Sequence, residues 1–85
     1  MKTFRQLNIG DPVYKLSGEK LKKYTFSALI KWDYSSDIYV NDIERQYPLS
    51  FGINTGDLDK SIIRIGSSFL CTNIYDVIRE IAKKI

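Results

Sequence analysis

From Leu21 to Trp32 the sequence reads LKKYTFSALIKW, and its apolar residues recur at every second position. Tyr24, Phe26, Ala28, Ile30 and Trp32 share one parity, while Lys23, Thr25, Ser27, Leu29 and Lys31 share the other. A period of two predicts a strand with one face on a core and one toward water. Neither Gly nor Pro interrupts it, so nothing breaks its ladder of main-chain hydrogen bonds. The even-numbered residues are expected inside. Leu29 is the apolar exception on the polar side.

Shorter patterns flank this strand. Residues 1–9 carry little periodicity and read as a loose arm or a short edge strand. Gly10-Asp11-Pro12 is turn chemistry, followed by a first strand over Val13 to Leu16 and a hairpin loop at Ser17 to Lys20. After Trp32, the polar run Asp33 to Asp37 leads into Ile38-Tyr39-Val40. Pairing Trp32 with Ile38 and Ile30 with Val40 keeps the apolar residues of both strands on one face, because a slip of one residue exchanges the faces. That register sets Asp33 against Asp37, a like-charge pair that works against it. Tyr47, Leu49, Phe51 and Ile53 alternate through a further strand; Pro48 confines its start to an edge and Gly52 suggests a bulge. Asn54 to Asp57 form a turn, Ser61 to Ile65 a short strand, and Phe69 to Cys71 one more extended piece.

The period changes in the tail. Ile74, Val77, Ile78, Ile81 and Ile85 recur at helical spacing, with Asn73 suited to cap the N-terminus, Asp76 near the positive end of the helix dipole and Lys83 and Lys84 near the negative end. A helix of about 12 residues is marginal by itself, so it must dock on the sheet. The whole pattern predicts a single α+β domain over residues 1–85, a bent antiparallel sheet of four to five strands with a C-terminal helix. Its expected core is Tyr24, Phe26, Ile30, Trp32, Ile38, Val40, Phe51, Ile63, Ile65, Val77, Ile78 and Ile81.

Composition narrows the chemistry. The chain has 85 residues, 44% of them hydrophobic, which suits one modest folded core. It contains no His, which removes the usual general base near neutral pH, the Ser-His and Cys-His pairs and most zinc and iron sites. There is one Cys and neither a phosphate-binding loop nor a dinucleotide fingerprint. The expectation is a non-enzyme without a cofactor. Cys71 lies among apolar neighbours and reads as a buried thiol in a reducing compartment. No apolar run reaches the roughly 20 residues of a membrane span, and the start lacks a signal-peptide core, so a cytoplasmic protein without a membrane partner is expected.

Charge divides the chain. Residues 1–32 hold seven basic and two acidic residues (+5), residues 33–60 two and six (−4), and residues 61–85 four and two (+2). Such asymmetry can orient a partner. The candidate binding residues lie on the polar side of the long strand and around it: Lys22, Lys23, Thr25, Ser27, Leu29 and Lys31, with Tyr34 and Tyr39. Leu29 beside Tyr39, rimmed by charge, suits a protein contact or a homodimer. The lysines with tyrosine platforms suit single-stranded nucleic acid. Asp33, Ser35, Asp37, Tyr39, Asn41 and Glu44 match the ligand spacing of a calcium loop, but Ile38 stands where the loop needs Gly, so the segment reads as a solvated acidic hairpin.

The opener Ile9-Gly10-Asp11-Pro12-Val13-Tyr14 resembles the G-D-x-V-Y start of small SH3-like barrel domains of bacteria and phages, over roughly residues 8–70. The resemblance implies a barrel of about five short strands, here with a helix appended, and a binding module. Similar accessory proteins of phages and mobile elements include inhibitors of host systems. A module that binds another protein is therefore the leading expectation. Nucleic-acid binding by the lysine face is the second, and a small-molecule pocket between sheet and helix the third.

Overall fold

The computed structural model describes residues 2–83. In chain order these form a 3-10 turn (Phe4–Gln6), β1 (Pro12–Ser17), β2 (Lys20–Lys31), β3 (Ser35–Asn41), β4 (Leu49–Asn54), a second 3-10 turn (Thr55–Asp59), β5 (Ile62–Ile65), β6 (Ser68–Cys71) and helix α1 (Ile74–Ala82). The strands make one antiparallel sheet in the order β4-β3-β2-β1-β6-β5. The fold is α+β, with six strands where four to five are expected. The additional pairing arises because β5 and β6 close a hairpin at Gly66, whose φ of +61° suits glycine, and β6 then pairs with β1.

The sheet curls into a half-barrel around Phe4, Leu7, Val13, Tyr24, Phe26, Ile38, Val40, Ile53, Leu58, Ile63 and Leu70. Residues 2–9 are thus neither a loose arm nor an edge strand but carry the first 3-10 turn. Phe4 and Leu7 plug the barrel together with Leu58, and the Phe4 N–H donates to the Lys60 carbonyl at 3.0 Å. The curl sets β4 and β5, the two edges, on either side of one cleft of about 420 Å³ lined in part by Ile53 and Ile63. The Gly-Asp opener closes the sheet locally: Gly10 N–H donates to the Phe26 carbonyl and Phe26 N–H to the Asp11 carbonyl.

The hairpin register differs from the one that parity favours. Phe26 pairs with Val40, but Ala28 pairs with Tyr39, Leu29 with Ile38 and Ile30 with Asp37; a bulge between Phe26 and Ala28 inserts Ser27. One extra residue exchanges the faces of everything after it. Tyr24 and Phe26 point inward, and after the bulge it is Leu29 that packs on the core. Ile30 and Trp32, expected in the core, are 39% and 59% exposed. The bulge resolves the conflict at the tip: it keeps Ile38 and Val40 fully buried and separates Asp33 from Asp37, which faces Ile30 instead.

Helix α1 lies outside the half-barrel, over β1 and β6, where Val77 meets Leu16 and Cys71 with Tyr14, Ile62 and Phe69 around them. Its N-terminus is fixed by Asn73, whose side-chain oxygen accepts from the Asp76 N–H at 3.0 Å. The Asp76 carboxylate is buried and accepts from the Ser61 hydroxyl, the Asn73 amide and the Arg79 guanidinium. That network turns Asp76 and Val77 to the sheet and rotates the isoleucine stripe away. Ile78 and Ile81, expected in the core, are consequently exposed. Ile85, the last position of the stripe, lies outside the described residues. Among the described residues no helix is long and apolar enough to cross a membrane.

Candidate protein-interaction surface

The helix covers the outer face of β1 and β6, and among the described residues no element packs over the outer face of β2, β3 and β4. Two rows cross that face. Ala28, Tyr39 and Ser50 are successive partners in register, and Ile30, Asp37 and Gly52 form the next row. Ala28, Ser50 and Gly52 contribute little side chain to these rows; beside them Ile30 and Trp32 are exposed and Tyr39 is half-buried. A Cβ added at Gly52 would come within 3.5 Å of the Asp37 Oδ1, ordinary contact that the open position leaves unused.

Trp32 is the only Trp in the chain. Its indole N–H donates to the Asp37 Oδ2 at 2.9 Å, which orients the ring while the residue stays 59% exposed. The Trp32 main-chain N–H donates to the Ser35 carbonyl at 2.8 Å, and the Tyr34 carbonyl accepts from Thr55 at 3.2 Å, so the turn carrying Asp33 and Tyr34 is held at both sides. Tyr34 itself is 90% exposed. An exposed aromatic that is already held in place loses little conformational freedom on binding, and Trp and Tyr dominate the energetics of protein contacts.

The structure separates the residues singled out from the sequence. Lys23 and Thr25 lie on the outer face, Ser27 forms the bulge, Leu29 turns inward, and Lys31 pairs with buried Ser36 on the inner side. Tyr39 keeps its place on the outer face but next to Ala28, not Leu29. Leu29 and Tyr39 therefore do not form a patch. The lysines do not form a single face either. Lys22 is held by Asp42 at 3.2 Å and Glu44 at 3.1 Å, and the Glu44 and Asp42 carboxylates raise its pKa. Lys15 packs over the Phe51 ring at 5.6 Å. Asp42 is itself buried; the Glu44 N–H, then Lys22, hold its carboxyl below the ordinary range. It ties down the loop that displays Ile43 and Tyr47. The spacing that resembles a calcium loop falls largely on β3, where Asp37, Tyr39 and Asn41 stand about 7 Å apart along one face and cannot converge on one ion. No group of three or more His, Cys, Asp or Glu side chains suited to a metal gathers among the described residues.

Ile30, Trp32 and Asp37 were not expected on a working surface. The available signal was Leu29, whose position against the alternation marks the point where the faces change. No family model, curated protein or solved structure matches the chain.

Proposed function

We propose that the chain is a non-catalytic module that binds another protein through the bare outer face of β2–β4, with Trp32 at its centre. The observation that carries this is Trp32 itself: 59% exposed and oriented by Asp37, whose partner in register is Gly52. Ile30 and Tyr39 extend the apolar area, and Tyr34 borders it at the hairpin tip. The six-stranded half-barrel is compatible with an SH3-like barrel, and the likeness of the opener to accessory proteins of phages fits a role as inhibitor of a host system. A buried thiol at Cys71 fits a cytoplasmic setting.

Nucleic-acid binding would need the lysines on one surface. Here Lys22 is committed to Asp42 and Glu44, and Lys23 and Lys31 lie on opposite faces of β2. Immobilised wild type, Trp32→Ala and Lys22→Glu/Lys23→Glu proteins, exposed to host lysate, separate the two readings by mass spectrometry. The expected result is a protein retained by wild type and by the double lysine variant and lost with Trp32→Ala. Recovery of nucleic acid alone, abolished by the lysine variant, contradicts it.

A further inference from the structure

We infer that the partner presents an arginine-bearing segment, whose guanidinium stacks on Trp32 and pairs with Asp33 and Asp37. The inference rests on the outer face being the binding surface and adds the chemistry of its occupant. Ion pairs link seven of the ten acidic residues to Lys or Arg: Asp11, Asp42, Glu44, Asp57, Asp59, Asp76 and Glu80. Among the described residues, Glu19, Asp33 and Asp37 have no such cation. Two of these three adjoin Trp32: Asp33 follows it in the chain, and Asp37 accepts its indole N–H through Oδ2. Lys31 is near in sequence but sits on the opposite face, paired in register with Ser36.

A protein of net charge +3 thus keeps one uncompensated carboxylate, Asp37, on its exposed indole and a second, Asp33, at the next position in the chain. An arginine fits both features. Its flat guanidinium stacks on an aromatic face, where a compact ammonium gains less, and its donors reach carboxylate oxygens beyond the ring. Ile30 and Tyr39 receive the apolar stem or neighbouring side chains of the segment. The same carboxylates repel phosphate, which sets nucleic acid and anionic lipid against this face.

A hexa-arginine peptide titrated into the intact protein tests this through the emission of the single Trp, with hexa-glutamate as the opposite probe. The net positive charge of the protein disfavours general attraction of the cationic probe, so binding reports on the local site. The expected result is a saturable change with hexa-arginine only, weakened by raising the salt from about 0.01 M to about 0.15 M as the screening length falls from roughly 30 to 8 Å. Asp37→Asn keeps an acceptor for the indole N–H and removes the charge; Asp33→Asn removes the other. Each weakens binding about two- to fivefold. Trp32→Leu, read by calorimetry, weakens it by a similar factor. No saturable change at millimolar peptide, an equal response to hexa-glutamate, or full affinity in Asp33→Asn/Asp37→Asn overturns the inference. So does a concentration-dependent dimer that protects Trp32, which would give the face to a second copy. A partner captured from lysate through Trp32 but indifferent to both Asp→Asn changes would leave the binding surface standing and remove its arginine-bearing occupant; capture indifferent to Trp32 removes both.

Discussion

Leu29 is where the two sides of the long strand exchange roles. Its odd position among outward-facing Lys23 and Thr25 makes it an outlier in the sequence, and the structure shows why: Ser27 is the extra residue of a bulge, and Leu29 packs inside. Up to Phe26 the alternation identifies the buried side chains correctly. Beyond it the same alternation misplaces Ile30 and Trp32, because apolar residues at 28, 29 and 30 satisfy either parity. The stability of single variants should follow the observed faces. Phe26→Ala is expected to cost about 3–5 kcal/mol by urea unfolding, whereas Trp32→Ala should stay within about 1 kcal/mol. Asp42 gives a test in pH. Its carboxyl is held below its ordinary pKa of 3.8 by the Glu44 N–H and Lys22. The unfolded chain therefore takes up its proton first, so the contribution of Asp42 is present above 3.8 and is lost as pH falls through the lower folded value. Asp42→Asn is expected to shallow the acid limb of the stability curve. Cys71 works in the opposite range, since burial, then Asp76 and Glu80, push its thiol from 9.0 up to about 12. Folding favours its protonated form, and stability should decline as pH rises from 9.0 toward 12. At neutral pH a disulfide reagent should label Cys71 only through opening of the fold.

At the scale of elements, period and turn chemistry located β1 to β6 and the helix within a few residues, because each is bounded by Gly, Pro or a polar cluster. They located the turn at Asn54 to Asp57 but not the burial of Leu58 in it, and they did not locate the 3-10 turn that buries Phe4. Such turns are too short for a period, and their burial depends on the curl of a distant sheet. The helix shows a different failure. Its isoleucine stripe is real, but the buried Asp76 network fixes the rotation, and only Val77 of the described stripe reaches the core. Val77→Ala is accordingly expected to cost about 1–3 kcal/mol and Ile78→Ala less than about 0.5 kcal/mol, compared by thermal unfolding. Deleting Ser27 tests the bulge. Without the extra residue, Phe26, Ala28 and Leu29 alternate regularly against Val40, Tyr39 and Ile38, so every observed pair keeps its face and the melting temperature is expected to change little; a loss on the order of 3 kcal/mol, as from turning one large apolar pair to solvent, would contradict the bulge.

For the whole molecule, the two buried clusters and the bare face follow from one sheet used on both sides. The inner side fills the half-barrel, and the outer side is divided between the helix over β1 and β6 and the open rows of β2 to β4. Charge asymmetry along the chain was legible in the sequence, and most of it is spent on internal pairs such as Lys22 with Asp42 and Arg5 with Asp59. What remains uncompensated beside Trp32 could not be read without the register, because a single inserted residue in β2 decides whether Trp32 shares the outer face of Asp37. The orientation of that one indole therefore decides the account. Because the chain has a single Trp, quenching of its fluorescence by neutral acrylamide reads that orientation directly. The expected result is emission like that of indole in water, with quenching close to that of the unfolded chain and slightly increased when Asp37→Ala frees the ring. Emission shifted to the blue and shielded from acrylamide in the native state would place Trp32 in the core and contradict the bulged register.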